Sequence, residues 1–150
     1  MLEKRYVFGY GSILNPMSAA KDIEPKCFVR WVQLRGFERI YDAPVDDYLS
    51  LNLRPNPKKA VDGMLFDATY PAIFAAFQQR EKGYTPHDVT EQLSEIVDGA
   101  VYVFVMQNVK HPERSIPRSY YDLCANAVPL ALRNTWIAET IIENPIAENA

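Results

Sequence analysis

One uninterrupted segment, residues 27–43, constrains the fold of this chain more than any other. It reads CFVRWVQLRGFERIYDA, and its many β-branched and aromatic residues favour a strand over a helix. Gly36 lies near its middle, where a glycine within a strand indicates a bulge or a sharp bend. The segment therefore predicts one long strand that is distorted at Gly36.

Further strands and several helices are predicted on both sides of this segment. The other strands are residues 5–10, YLSLNLRP, AVDGMLFDA and AVYVFVMQ at 100–107. The helices are NPMSAAKDI, PAIFAAFQQR at 71–80, PRSYYDLCANAVPLAL and TWIAETII. Pro16 suits a first helical position, whereas Pro129 should end or kink the helix in which it lies.

The order of these elements predicts the fold class. About six strands and three to four helices are mostly segregated along the chain rather than alternating, which favours an α+β protein. We expect a small mixed sheet that curls, or closes into a barrel, with the helices packed against it. Repeats and obvious linkers are absent from the sequence, so residues 1–150 are expected to form one domain. EKGYTPHD should be a break, and the tail 143–150 should be loose.

Composition excludes several classes of function. A net charge of −3 gives no electrostatic basis for binding nucleic acid or an anionic membrane. Apolar runs of membrane-spanning length and a signal-peptide core are missing, so a cytoplasmic location is expected. Cys27 and Cys124 stand alone without a CxxC pair, which argues against a disulfide framework or zinc site and predicts two small buried hydrophobic side chains.

The first strand runs directly into the turn GYGSI. Gly9 and Gly11 permit positive φ angles and a close backbone approach, and consecutive amides in such a turn can bind an anion such as a substrate carboxylate. An ordinary strand-ending turn without a ligand fits the same letters. The motif alone leaves both interpretations open.

The sequence gives little support to a catalytic nucleophile or a metal site. Ser12 does not lie in a GxSxG elbow, and its only candidate bases, His87 and His111, lie in polar, loop-like surroundings. Two isolated histidines without HExxH or an acidic loop make a poor set of metal ligands. We therefore expect neither a serine triad nor a metal site.

Glu81 is the strongest candidate for acid–base chemistry. It follows the apolar-faced helix 71–80, where the negative end of the helix dipole and any burial would raise its pKa and make it a better proton acceptor near neutrality. A surface glutamate at a helix end is the plain alternative. Tyr120 and Tyr121 open the next helix, and one of them could present its hydroxyl to a pocket while the other packs in the core.

Six stretches, taken together and in order, resemble the γ-glutamylcyclotransferase-like proteins. They are VFGYGSILNP, VQLRGFERIYD, VDGMLFDAT, QQREKGYTPHDV, AVYVFV and IPRSYYDLCANA. The resemblance spans residues 5–142, and it rests on the order of the motifs because none of them alone is highly specific. It implies a small mixed barrel with packed helices, in agreement with the α+β prediction.

The resemblance also implies a function and a set of site residues. Members of this family release 5-oxoproline from γ-glutamyl compounds, and Glu81 falls at the position of the catalytic acid/base. Tyr120 matches a tyrosine that opens a helix and lines the pocket. The substrate-binding loop corresponds to Tyr10, Gly11, Ser12 and Ile13. No cofactor is expected, because the nucleophile of this reaction is the α-amine of the substrate itself.

Alternatives from other classes remain at this point. The same fold could serve as a non-catalytic ligand-binding or interaction domain, and Ser12 could act in a hydrolase. The expected partner is a small γ-glutamyl compound, and the protein is expected to be a monomer or a weak homodimer. The leaving group is open: glutathione, a γ-glutamyl amino acid, a γ-glutamyl amine and a specialised metabolite all fit.

Overall fold

The computed structural model describes residues 2–148. Its strands are β1 (Arg5–Gly9), β2 (Phe28–Val45), β3 (Tyr48–Asp67), β4 (Thr85–Asp88), β5 (Ala100–Val105), β6 (Ile116–Pro117) and β7 (Ile146–Ala147). Its α-helices are α1 (Pro16–Ala19), α2 (Pro71–Arg80), α3 (Arg118–Ala127) and α4 (Leu130–Glu139). Short 3-10 turns lie at Ser12–Leu14, Pro25–Cys27 and Thr90–Gln92.

The main sheet is mixed and curled, which confirms the α+β prediction. Five strands follow the order β2-β3-β1-β5-β4; β1 and β5 run parallel, and the other neighbours run antiparallel. The sheet curls until the segment after β4 reaches β2, where Leu34 bridges Leu93. The N–H of Ser94 donates to the carbonyl of Gln33 at 2.9 Å. This hydrogen bond joins the segment after β4 to β2, so the two edges of the curled sheet lie close together.

The β2–β3 hairpin is longer than the sequence pattern indicates. The long strand predicted at 27–43 is confirmed, and its pairing shifts beside Gly36, whose φ is 89°. YLSLNLRP and AVDGMLFDA, however, form one strand and not two. Arg35 pairs with Ala60 but Phe37 pairs with Pro55, so residues 56–59 bulge outward opposite Gly36. The bulge accommodates the prolines of this segment while the strand continues on both sides of it.

The helices largely agree with the pattern. The prediction of a helix at 71–80 matches α2 (Pro71–Arg80). Pro129 ends the predicted helix as expected: α3 stops at Ala127, and Val128 and Pro129 adopt extended angles. The last helix starts earlier than predicted, because Pro129 serves as the N-cap of α4 and the helix begins at Leu130. Within residues 2–148, no helix is long and apolar enough to cross a membrane.

Two segments expected to be irregular are partly ordered as strands. Within EKGYTPHD, residues 85–88 form β4 and pair with β5. Within the tail, β7 pairs in parallel with β6, and the N–H of Ile116 donates to the carbonyl of Pro145 at 2.9 Å. The prediction of a loose tail is therefore wrong for residues 146–147, because a distant partner supplies their hydrogen bonds; residues 149–150 lie outside the described range.

Side chains of β1 alternate between the two faces of the sheet, and the core is correspondingly divided into two parts. Tyr6 and Phe8 face the barrel interior, whereas Val7 faces the opposite layer that contains α2. In that layer Phe74 and Phe77 of α2 pack against residues of the sheet, and burying each such side chain contributes about 1.5–3 kcal/mol. The packing fixes the C-terminal end of α2 beside the C-terminal end of β1. Cys27 and Cys124 are buried and free, as predicted.

Candidate active site

The ends of β1 and α2 line a small cavity that is partly open to solvent. The cavity brings the predicted glutamate, the predicted binding turn and the predicted tyrosine together. Its walls are formed by Val7, Phe8, Gly9, Tyr10, Gly11, Ser12, Ile13, Leu51, Phe77, Glu81, Tyr84, Phe104 and Tyr120.

The turn after β1 presents unused backbone donors. Leu14 and Asn15 close a 3-10 turn by donating to Gly11 and Ser12 at 3.0 Å. The N–H groups of Gly11, Ser12 and Ile13 find no acceptor within the described part of the chain. These amides lie at the N-terminal end of the 3-10 turn, where N–H groups are left for a ligand or for water. They could therefore bind a carboxylate or an oxyanion.

Gly9 is needed for a close backbone approach, one of the two properties that the sequence indicated for the glycines of this turn. The other property, a positive φ angle at Gly9 or Gly11, does not occur, since among the glycines of the described residues only Gly36 and Gly83 have one. Gly9 is required by close packing, because a Cβ there would lie 2.6 Å from a ring carbon of Phe66 and 2.7 Å from Cγ2 of Ile13. Only glycine lets the backbone pass this close to Phe66.

Tyr10 anchors the turn to the sheet. Its hydroxyl donates to the carbonyl of Phe104 at 2.6 Å, and its side chain is buried. Burial raises the pKa of Tyr10 well above its ordinary value, so the hydroxyl stays protonated and keeps this hydrogen bond. The side chain of Tyr10 thus holds the turn in place beside the cavity.

Glu81 lies where α2 ends and the chain reverses. Its N–H donates to the carbonyl of Phe77 at 2.8 Å, and its own carbonyl accepts from Tyr84 at 2.9 Å. Gly83 adopts a φ of 95°, a conformation that favours glycine. This tight reversal returns the chain to the cavity, so that Glu81 and Tyr84 both line it.

The carboxylate of Glu81 is three-quarters buried and has no hydrogen bond within residues 2–148. Its side chain retains 25% exposure, and its nearest cation is Arg80, whose Nε lies 3.8 Å from Oε1. Burial raises the pKa of Glu81 above its ordinary value; Arg80 opposes this rise, and the negative charge of Asp22 adds to it. Such an environment suits a group that accepts and returns a proton.

The two tyrosines of α3 divide as the sequence suggested. The hydroxyl of Tyr120 faces the cavity and accepts from the N–H of Leu51 at 3.3 Å. The same hydroxyl lies 3.7 Å from the position of a Cβ on Gly11, which places it against the turn. Tyr121 is buried in the core beside Trp136.

Sequence reasoning missed two residues of this site, Arg80 and Tyr84. The hydroxyl of Tyr84 bonds to the carbonyl of Leu51 at 2.8 Å and to the hydroxyl of Ser50. Arg80 bonds to Ser12 in the turn at 3.1 Å. Their proximity to Glu81 in QQREKGY was the available signal, but the partners lie far away along the chain.

Ser12 has no neighbouring histidine in the described structure. Its hydroxyl accepts a hydrogen bond from Arg80. His87 lies on β4 beside a different groove, and His111 lies in a loop, 3.7 Å from Glu113. Neither histidine lines the cavity, so neither is in place to activate Ser12 as a nucleophile.

The fold is that of the gamma-glutamyl cyclotransferase structures. One solved structure described as gamma-glutamyl cyclotransferase has a TM-score of 0.72 and 15% identity, and the match covers 99% of this chain and 94% of that chain. An uncharacterized protein from Homo sapiens has a TM-score of 0.71 and 15% identity, with the same coverage of 99% and 94%. A gamma-glutamyl cyclotransferase specific to glutathione from yeast has a TM-score of 0.53 and 15% identity, over 94% of this chain and 90% of that chain.

At these identities the similarity establishes the fold. No protein-family description matches the sequence, and no curated protein matches it. Any activity of this chain must therefore be argued from its own cavity.

Proposed function

We propose that this protein is a γ-glutamyl cyclotransferase that releases 5-oxoproline from a γ-glutamyl compound, with Glu81 as the general acid/base. The observation that carries the proposal is the position of Glu81. A largely buried carboxylate without a hydrogen-bond partner shares one cavity with three unused backbone amides. A proton acceptor and an anion site are the two groups that this reaction needs. Solved structures with this fold, described as gamma-glutamyl cyclotransferases, add support.

The substrate supplies its own nucleophile. In a γ-glutamyl compound the α-amino nitrogen can reach the γ-carbonyl carbon and close a five-membered ring. The reaction is intramolecular, so the enzyme gains much of the rate by holding the reactive conformer. One C–N bond forms within the glutamyl moiety and the original amide C–N bond breaks. No electron transfer occurs, and no external co-reactant is consumed.

Glu81 carries the proton between the two nitrogens. The α-amine has an unperturbed pKa of about 8 and is largely protonated at neutral pH, so it must lose a proton before it can attack. The carboxylate of Glu81 accepts this proton, and the resulting carboxylic acid then donates one to the departing nitrogen. The raised pKa of Glu81 serves both steps, because the group has to exist in both protonation states during turnover.

The amides of the turn bind the negative charges. A backbone donor pre-arranged in a partly dry cavity stabilises a carboxylate or a developing oxyanion more strongly than water-exposed groups do. We assign the α-carboxylate of the substrate to the N–H groups of Gly11, Ser12 and Ile13. Tyr84 and Tyr120 line the same cavity and would contact the glutamyl moiety.

The proposal is tested with a panel of γ-glutamyl compounds, scored for the appearance of 5-oxoproline. The panel includes glutathione, γ-glutamyl amino acids and γ-glutamyl amines, since the identity of the leaving group is open. At least one compound should yield 5-oxoproline and the free amine in equal amounts. The proposed chemistry uses no metal, so EDTA should leave the rate unchanged. Binding of 5-oxoproline without turnover of any compound would favour a non-catalytic binding domain instead.

A further inference from the structure

Arg80 makes more polar contacts around the cavity than any group assigned above. Nη1 donates to the carbonyl of Ser18 at 3.1 Å and to the carboxylate of Asp22 at 2.8 Å. Nη2 donates to the hydroxyls of Ser12 at 3.1 Å and Ser18 at 2.9 Å. The side chain is only 11% exposed. Arg80 therefore joins three pieces of chain: the turn after β1, the α1 region and the end of α2.

The geometry of Arg80 leaves it unable to bind substrate as well. All four N–H groups of Nη1 and Nη2 have protein partners. The remaining N–H, on Nε, lies 3.8 Å from the carboxylate of Glu81, which is too long for a hydrogen bond. The ion pair of Arg80 is made with Asp22, so Glu81 remains free of a tight salt bridge.

We propose that Arg80, held by Asp22, is the positioning residue of this site: it fixes the turn at Ser12 against the end of α2 and leaves the carboxylate of Glu81 without a hydrogen bond. The proposal rests on the proposed function for its meaning in catalysis. The proposal has two physical consequences, a fixed turn at Ser12 and an altered titration of the Glu81 carboxylate, and both can be measured without turnover. A 1 Å displacement of binding groups can cost about 10²-fold in rate, so the hydrogen bonds by which Arg80 holds the turn should affect the rate of the reaction.

Two charges dominate the surroundings of Glu81. Arg80 approaches from α2 and Asp22 from the segment after α1. Tyr10, Tyr84 and Cys124 face the same region from the turn after β1, the α2–β4 turn and α3. Burial raises the pKa of each of these three groups, that of Cys124 to about 11, so they stay neutral. Arg80 and Asp22 are therefore the groups whose removal should change the titration of Glu81.

The first measurement is the titration of the Glu81 carboxyl carbon by NMR in the wild type and in two variants. Arg80→Gln removes the cation that lowers the pKa of Glu81, so the titration should move to higher pH. Asp22→Asn removes the anion that raises it, so the titration should move to lower pH. Arg30→Gln is the matched control, because Arg30 pairs with Glu95 on an exposed face; it should leave the titration in place.

The second measurement is amide hydrogen exchange at Leu14 and Asn15, whose N–H groups close the 3-10 turn, together with kinetics on an active substrate. Arg80→Gln should speed exchange in the turn and lower kcat/KM by about 10²-fold. Arg80→Lys retains the charge but cannot reach Ser12, Ser18 and Asp22 together. It should restore the titration of Glu81 while the turn still exchanges faster than in the wild type. A purely structural arginine would not separate these two effects.

The outcomes separate this proposal from the proposed function. Opposite titration shifts in Arg80→Gln and Asp22→Asn support the positioning role, even if no γ-glutamyl compound is turned over. Shifts in one direction, or no shift, overturn it, even if the wild type is active. If Arg80→Gln fails to fold, Asp22→Asn and Arg80→Lys decide. An unmoved titration in the first, or exchange at Leu14 and Asn15 as slow as in the wild type in the second, overturns the proposal.

Discussion

Glu81 and Asp42 are both removed from water, and burial raises the pKa of each above its ordinary value. Asp42 is 8% exposed and lies on β2, beside β3 and the residues that follow β5. By burial and charge alone, the two residues are equally good candidates for acid–base chemistry. Their hydrogen bonds distinguish them.

Asp42 has a full set of partners. One oxygen accepts from Nδ2 of Asn52 at 2.7 Å, and the other accepts from Nδ2 of Asn108 at 2.9 Å. Asn52 also donates from Nδ2 to the carbonyl of Met106 and accepts at Oδ1 from the N–H of Met106. These two bonds link β3 to the chain after β5, at a level of the sheet beyond the end of β1. Asp42 therefore organises a buried polar network that closes the barrel.

Glu81, in contrast, has no hydrogen bond within the described residues and faces a cavity. A largely buried carboxylate without a hydrogen-bond partner carries a desolvation cost, and a folded protein retains that cost where a ligand or a reaction supplies the missing contact. Burial thus raises the pKa at both sites, but unused bonding capacity beside a cavity identifies the candidate for catalysis.

The largest effect is expected at Glu81. Glu81→Gln preserves the shape of the side chain and removes its basicity, so turnover should fall by about 10²- to 10⁴-fold. Binding of 5-oxoproline should survive, because the backbone amides of the turn hold the carboxylate. Steady-state kinetics on an active substrate and calorimetric titration with 5-oxoproline measure the two properties.

Glu95→Gln is the matched control, since Glu95 is an exposed partner of Arg30. It should leave both turnover and binding unchanged. Near-wild-type turnover by Glu81→Gln would remove Glu81 from the mechanism and with it the distinction from Asp42.

The opposite pattern is expected at Asp42. Asp42→Asn turns one acceptor oxygen into a donor that meets the Nδ2 donor of either Asn52 or Asn108, so the free energy of unfolding should fall by about 1–3 kcal/mol. The folded variant should retain the turnover of the wild type per molecule. Denaturant unfolding and kinetics on the same preparation measure both. A stable Asp42→Asn with much reduced turnover would contradict the structural role given to this network.

Most of the fold could be predicted from local patterns. Residues 71–80 show a helical apolar period after a proline, and α2 has the predicted bounds. The β-rich segment around Gly36 forms β2, with its pairing shifted there. The strand in the tail could not be predicted, since Ile146 is ordered by pairing with Ile116, and the residues around Ile146 do not indicate this distant partner.

The site was predictable only in part. The motifs named Glu81 and the turn, but they could not show that Glu81 is unpaired and Asp42 is fully bonded. That difference depends on partners far apart in the chain: Arg80 and Ser12 are separated by 68 positions, and Asp42 and Asn108 by 66. Folding brings these groups together through packing of α2 and closure of the barrel, which no local pattern encodes.

A smaller effect concerns the pH dependence of the rate. The acid limb of kcat/KM should report the pKa of Glu81 in the free enzyme, and it should lie above the value of about 4.3 for an ordinary glutamate. Asp42→Asn should leave this limb in place, since Asp42 is not among the groups that shift the pKa of Glu81. A limb that moves in Asp42→Asn would mean that the two carboxylates are coupled.

The smallest effect expected is on the pH dependence of stability at Glu81. A carboxyl group whose pKa is raised by folding binds more protons in the folded state than in the unfolded state between the two pKa values. The free energy of unfolding therefore loses this contribution as pH rises through that window. Glu81→Gln carries no charge at this position and avoids the loss, so the variant should be slightly more stable than the wild type at pH 7. The difference in stability should shrink below about pH 4, because the glutamate of the unfolded wild type is then protonated. Paired denaturant titrations at several pH values measure this difference. A variant that is less stable than the wild type at neutral pH would show that Glu81, like Asp42, forms bonds that hold the fold together.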